Sequence, residues 1–406
     1  MKTILLLTSD KLQPVQRLAT RTDVKVIPMI ASKYAGLYAD FEDVVELDDI
    51  ADVSAATRAC AEALRKTHVD YVLAVTDRAM PTGGWLRTHF GFPGMTADIA
   101  QMFSNKVTMK TRLTDAAIPC ARFTRIGHPR DLLKAGETLG WPVVIKPATA
   151  SGTVDVWKID SAAELQQLLD AAALATFEHA ASALIAEEYV DIVNEYHVDA
   201  IVRDDEVKFM AAFKYITPPL RARGSFYGAT LLRDDDAAVK PTSSLLRRVV
   251  DAFGLRNGVV HLEIFDTRDG FIVGEVASRP GGAGSTELID NLLGVDVWDA
   301  FISAHLDEPW KDVVVGPAPA GVHGYFGLPC RSGTVKRISN VDDLERIAGV
   351  RHARIFCRPG DVMKGKSGSA VFFAGVIFFH IDHVDQLPRL LSDVEQHFVL
   401  DMGEFE

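Results

Sequence analysis

The chain has 406 residues, 48% of them hydrophobic and 24% charged, with a formal net charge of −12. That length suits two or three domains of ordinary globular composition. The acidic balance argues against general nucleic-acid binding, which needs a basic face. Four scattered cysteines (Cys60, Cys120, Cys330, Cys357) have neither metal-ligand spacing nor a disulfide framework, which fits a reducing cytoplasm. The opening MKTILLLTSD is too short an apolar run for a signal peptide, and the apolar stretch at 370–379 is too short to span a bilayer.

Residues 1–95 alternate strand and helix signals: apolar runs at 3–7, 24–28, 44–47 and 71–75, with helical spacing at 54–66. Such alternation predicts a parallel sheet with helices on its faces. No glycine-rich fingerprint follows the first strand. Thr96 and Ser104 are each placed to cap a helix. The second helix, 105–117, carries Lys106 in its first turn, where the helix dipole disfavours a cation, so it is either a solvated lysine or one awaiting an anion.

A strand ending in Lys146-Pro147 leads into a loop of small residues containing Ser151 and Gly152, then a strand at 154–159. This is a plain hairpin turn or a loop that folds over phosphates with its backbone N–H groups; it is not a P-loop, because the Gly-Lys-Ser/Thr ending and following helix are missing. A helix at 161–174 follows. The strand at 183–190 bears Glu187, Glu188, Tyr189 and Val190 at its exit. The next, at 195–202, puts Glu195, His197 and Asp199 on one face. Residues 215–228 read as an irregular, positively charged loop in which Arg221 or Arg223 is either solvated or set to meet a substrate carboxylate.

The most informative stretch is 261–282. Two strands, 261–265 and 271–276, flank a turn carrying Asp269-Gly270. With Arg268-Asp269-Gly270 as a three-residue loop, Glu263 falls directly opposite Glu275. Like charges so paired are unfavourable unless something lies between them, and a hard divalent cation such as Mg²⁺ would resolve the conflict. The alternative is a solvated face with two unconnected carboxylates. Beyond the second strand stand Arg279 and Pro280-Gly281-Gly282, where free backbone N–H groups can meet an anion. His261 shares the Glu263 face, so it either approaches the metal or substrate or, the preferred reading, is a hydrogen-bonded structural residue. A helix at 285–293, a proline-rich connector at 307–320 and a strand-rich region with a closing helix at 388–398 complete the chain.

Taken together, these motifs resemble the ATP-grasp superfamily of carboxylate–amine ligases over residues 96–300. The fold implied is α/β (α+β): an N-terminal Rossmann-like parallel-sheet domain (1–95), a central subdomain with the phosphate loop (96–182), a catalytic subdomain (183–305) and a strand-rich C-terminal lobe (306–406). The resemblance implies that Lys106 and Lys146 hold the α- and β-phosphates of ATP, that Ser151 and Gly152 close over them, and that Glu187, Glu188, Tyr189 and Val190 form the adenine-reading segment. It further implies that Glu195 bonds the ribose, that Glu263 and Glu275 carry Mg²⁺, and that Arg279 and the N–H of Gly281 stabilise the acyl phosphate and oxyanion. One departure stands out. Most ATP-grasp enzymes have a metal-binding asparagine two residues after the second carboxylate, whereas this chain has Ala277. In that respect it looks similar to bacterial L-amino-acid ligases, the bacilysin-type dipeptide synthetases, with dapdiamide-type synthetases in the same group. The implied function is ATP-dependent joining of two amino acids in dipeptide or peptide-antibiotic synthesis, by a cytoplasmic homodimer acting on small molecules without nucleic acid or membrane. The alternatives are a carboxylase or purine-pathway ligase using bicarbonate or formate, and a nucleotide-binding protein without turnover.

Overall fold

The computed structural model describes residues 1–149, 155–178, 183–222, 225–310, 316, 319–365 and 372–404. The first four strands, β1 (Lys2–Leu7), β2 (Val24–Ala31), β3 (Val45–Leu47) and β4 (Tyr71–Ala74), form a parallel sheet in the order 3-2-1-4. Five of the six residues of β1 are buried, the pattern of a strand covered on both faces. The helix Val53–Lys66 starts where the Asp52 side chain accepts from the Ala55 N–H, and it buries Ala56, Cys60 and Ala63 along one stripe. Strand order reverses between β1 and β4, and in open parallel sheets ligands gather at the carboxyl ends of the strands beside such a reversal.

A second sheet is antiparallel throughout. It contains β5 (Phe123–Ile126), β6 (Val143–Pro147), β7 (Trp157–Ile159) and β8 (Leu184–Glu188) in the order 5-8-6-7. The helix Lys106–Asp115 leads into it, capped by Asn105, whose side chain accepts from the N–H groups of Val107 and Thr108. Ser104, the expected cap, instead donates its hydroxyl to the Ala100 carbonyl and closes the preceding helix.

The remaining strands are β9 (Asn194–Arg203), β10 (Glu206–Tyr215), β11 (Tyr227–Leu231), β12 (Gly258–Thr267), β13 (Gly270–Ala277), β14 (Val322–Pro329), β15 (Gly333–Ile338), β16 (Val350–Ile355), β17 (Val362–Met363), β18 (Phe373–Ile381) and β19 (Leu400–Gly403). Eight of them make one antiparallel sheet in the order 13-12-9-10-11-14-18-16, and β17-β15-β19 make a small one. Part of the stretch expected to be irregular is therefore ordered, since Tyr227 and Gly228 open β11. One face of the large sheet is apolar: Tyr196, Val198 and Ala200 of β9 with Leu262 and Ile264 of β12 share a core with Met109 and Leu113 of the Asn105-capped helix and with Leu246, Val249 and Phe253. By the strand period of two, the opposite face carries Glu195, His197, Asp199, His261, Glu263 and Glu275. A further core joins Ile4 and Leu6 of β1 to Phe301 and to Phe213 and Tyr325 of the large sheet, so the helix Val297–His305 packs between the N-terminal sheet and the large one. Among the described residues no helix is long and apolar enough to cross a membrane.

Candidate active site

The β12–β13 hairpin places Glu263 opposite Glu275, as the pairing argument expects, by a different route. The loop has two residues, not three: Thr267 pairs with Gly270, and that register alone would set Glu263 against Gly274. A bulge between Glu263 and Ile264 restores the match by leaving Gly274 unpaired. A Cβ at Gly274 would lie 2.6 Å from the Phe265 ring, so any larger residue there must displace that ring. Burial, and then the neighbouring Glu275, push the Glu263 carboxyl above its usual range. Glu195 is pushed well up by burial and then by Glu263. Tyr215 donates its hydroxyl to Glu263 Oε1 at 3.4 Å and receives the Tyr227 hydroxyl at 3.2 Å.

Three lysines converge from the other side. The backbone N–H of Lys106 donates to the Ala148 carbonyl at 2.8 Å, tying the helix start to the end of β6. The Lys106 ammonium lies 3.0 Å from Glu275 Oε1. One turn on, Lys110 is fully buried with its ammonium 3.5 Å from Glu187 Oε1, and Lys146 pairs with the same oxygen at 3.0 Å. Burial opposes the charge on Glu187, but Lys110 and Lys146 outweigh it and hold the carboxyl below its usual range. Burial likewise opposes Lys146, and Glu187 with Glu275 raises it nonetheless. Lys110 was not anticipated; its position four residues after Lys106, on the same helix face, is the signal that could have found it.

The exit of β8 is fixed by its flanks. Glu188 accepts from the Arg122 backbone at 2.8 Å and from its guanidinium at 2.7 Å, the Tyr189 N–H donates to the Pro142 carbonyl at 3.0 Å, and Lys158 sits over the Tyr189 ring at 4.7 Å. The Glu188 side chain is thus committed to Arg122, while Val190 follows partly exposed. Ser151, Gly152 and Arg223 lie outside the described residues. Arg221 is exposed, 4.0 Å from Asp191.

Past β13, Arg279 donates from Nε to Asp77 Oδ1 at 2.7 Å and from Nη1 to the Pro280 carbonyl at 3.0 Å. Gly281 packs against the face of β9: a Cβ there would lie 2.4 Å from Ser285 Oγ and 2.5 Å from Asp199 Oδ1. Asp199 is buried and shares a 2.7 Å hydrogen bond with His261 Nδ1, while His197 Nδ1 stands 3.3 Å away and His197 Nε2 reaches the Tyr325 hydroxyl at 3.1 Å. Burial works against the Asp199 charge, yet the two imidazoles hold its carboxyl far below the usual range. The ligand atoms of His197, Asp199 and His261 lie within 4.8 Å of one another, near enough for a metal ion. His261 is bonded to the carboxylate and His197 to Tyr325, whereas His197 Nδ1 and Asp199 Oδ2 face each other without a hydrogen bond, so the cluster is packed support beneath Gly281.

The residues present fit Mg²⁺. Two carboxylates meet across strands in a half-buried setting that raises one of them, and hard oxygen donors suit that ion. Ala277 is buried at the strand end and supplies no third ligand.

Comparison with known proteins accords with this geometry. An ATP-grasp domain is matched over residues 111–291. The chain is 32% identical over 410 residues to the L-arginine-specific L-amino acid ligase of Bacillus subtilis, covering 99% of this chain and 98% of the relative. Its fold is similar to the crystal structure of an L-amino acid ligase from Bacillus licheniformis (TM-score 0.78, 18% identity, 100% and 99% of the two chains). It is also similar to the carboxyaminoimidazole ribonucleotide synthase of Aspergillus clavatus complexed with ATP (TM-score 0.72, 18% identity, 98% and 99%). The full-length relative carries the assignment, and the fold likenesses agree with it: the chain belongs to the ATP-grasp carboxylate–amine ligases, among the L-amino-acid ligases.

Proposed function

We propose that the protein activates the carboxylate of one amino acid, or a related small acid, and joins it to the amine of a second. A carboxylate oxygen attacks the γ-phosphorus of ATP and ADP leaves. The amine then attacks the carbonyl carbon of the acyl phosphate, phosphate leaves with the electron pair of the broken C–O bond, and the nitrogen sheds a proton. The observation that carries this reading is the convergence of Lys106, the Glu263–Glu275 pair and the Arg279–Gly281 turn on one sheet edge.

In this reading Lys106 and Lys146 hold the phosphates as compact charges. The backbone from Glu187 to Val190 reads adenine, Glu195 bonds the ribose, and Ser151-Gly152 closes above. Glu263 and Glu275 would hold Mg²⁺, which neutralises charge as the phosphoryl group moves. Arg279 and the Gly281 N–H stabilise the oxyanion. Because the Bacillus subtilis relative is named as L-arginine-specific, arginine is the first donor to offer. The proposal extends to a cytoplasmic homodimer, which sedimentation would test.

The test is phosphate release from Mg·ATP across amino acids offered singly and in pairs, with products identified by mass. Release that needs a pair and accompanies a condensed product is expected. In the same assay Arg279→Ala should cut product formation by about 10²–10³-fold while leaving ATP binding intact. Release driven by bicarbonate or formate instead, or an unchanged Arg279→Ala variant, would overturn the reading.

A further inference from the structure

Arg279 is gripped from outside its own sheet. Its Nε donates to Asp77 Oδ1 at 2.7 Å, and Asp77 stands 202 residues earlier in the chain. Asp77 lies three residues past the end of β4, at the carboxyl edge of the parallel sheet beside the β1–β4 reversal. The Pro280 carbonyl takes Nη1 at 3.0 Å. Among the described residues Nη2 makes no hydrogen bond to protein. A guanidinium is a rigid planar fork, so fixing two of its nitrogens fixes the direction of the third. Both partners are only partly exposed, 23% and 27% of their side chains, where water competes weakly. Burial opposes the charge on each, and each nevertheless holds the other in its charged form.

We propose that Asp77 is a positioning residue: it holds the Arg279 guanidinium so that Nη2 is presented to the acyl phosphate, and the catalytic arginine is competent only while the N-terminal sheet is docked. The proposal rests on the ligase reading above. It adds a role for a residue of the N-terminal sheet that no local motif announces. Releasing Nε would free the side chain to adopt other rotamers, and a displacement of about 1 Å at a reacting centre can lower turnover about 10²-fold.

The experiment compares Asp77→Ala, Asp77→Asn and Asp77→Glu with the full-length protein, using the amino-acid pair that gives product. The asparagine variant keeps size and an acceptor oxygen, which guards against misfolding. The expected result is a fall in kcat of about 10²-fold in the alanine variant, with KM for ATP within about twofold of the parent. The asparagine and glutamate variants should lie between, and adding Asp77→Ala to Arg279→Ala should lower kcat no further. A kcat within threefold of the parent, a KM for ATP that moves in step with kcat, or losses that multiply in the double variant would each overturn the proposal. Should the parent condense no pair at all, the ligase reading falls. Exchange of the Arg279 Nε–H by NMR then decides about the grip: faster exchange in Asp77→Asn supports it, and unchanged exchange refutes it.

Discussion

Glu187→Gln should unfold the protein more easily by about 3–5 kcal/mol at pH 7, the usual penalty for removing one partner of a buried ion pair. The carboxylate sits 3.0 Å from Lys146 and 3.5 Å from the fully buried Lys110. At an effective dielectric of about 20, each contact is worth roughly 5 kcal/mol of attraction, and desolvating the charges offsets much of it. Glutamine leaves two ammonium groups facing an uncharged amide. Their mutual repulsion then adds to the lost attraction. Glu187 has a folded pKa below its ordinary value of 4.5, so its contribution is complete above the unfolded pKa and disappears as pH falls through the folded one. The parent's advantage over the glutamine variant should therefore begin to narrow as pH falls through about 4.5 and shrink further below it. Urea unfolding followed by tryptophan fluorescence measures both effects, since Trp141 and Trp157 pack in the core of the β5–β8 sheet. Lys110→Met with Glu187→Gln should lose less than the two single variants together, because the charge left stranded by one change is removed by the other. A loss under about 1 kcal/mol at pH 7, or one of constant size from pH 7 to pH 3.5, would refute the argument; buried pairs of this kind are worth more.

Gly281→Ala should reduce product formation by about 10²-fold or more, an oxyanion-hole loss, because the added methyl meets both Ser285 Oγ and Asp199 Oδ1. Adding Ser285→Ala should not restore it, since the carboxylate contact at 2.5 Å remains; recovery would show that the turn is not held by Asp199. Glu275→Gln removes a metal carboxylate and the partner of Lys106 at 3.0 Å. The Mg²⁺ concentration for half-maximal phosphate release should rise by at least the roughly 10–100-fold that losing even an indirect partner of a metal ligand costs, and an unchanged Mg²⁺ dependence would mean that this carboxylate does not hold the ion.

What the sequence disclosed follows the range of the forces involved. Periodicity placed Glu195, His197 and Asp199 together and put His261 beside Glu263, because alternation in a strand is local. The Glu263–Glu275 pairing came out through two departures that cancel, a shorter loop and the bulge at Gly274. Composition cannot distinguish those, since a glycine reads alike in a turn and in a bulge. The helix cap was misplaced by one residue because serine and asparagine cap almost equally well. Asp77 was out of reach for a different reason: nothing near it in the chain marks it, and its meaning comes from an arginine delivered by another sheet. Lys110 lay within reach, one helical turn from a lysine already singled out.

The large sheet also bears on how the protein is made. Its middle strands are not neighbours in the chain: β11 pairs with β14, Tyr227 against Gly327, and β14 pairs in turn with β18. A nascent chain emerging from the ribosome can complete the carboxylate hairpin and the strands beside it long before residue 322 is synthesised. Until then β11 is an open edge with unpaired backbone groups, and it begins with Tyr227, which reaches Glu263 through Tyr215. Pairings of such long sequence separation form late and slowly. Ribosome-stalled fragments ending before β14 should therefore be the aggregation-prone species of this protein, and a chain truncated there should lack a settled site even though every residue proposed to touch ATP is already present.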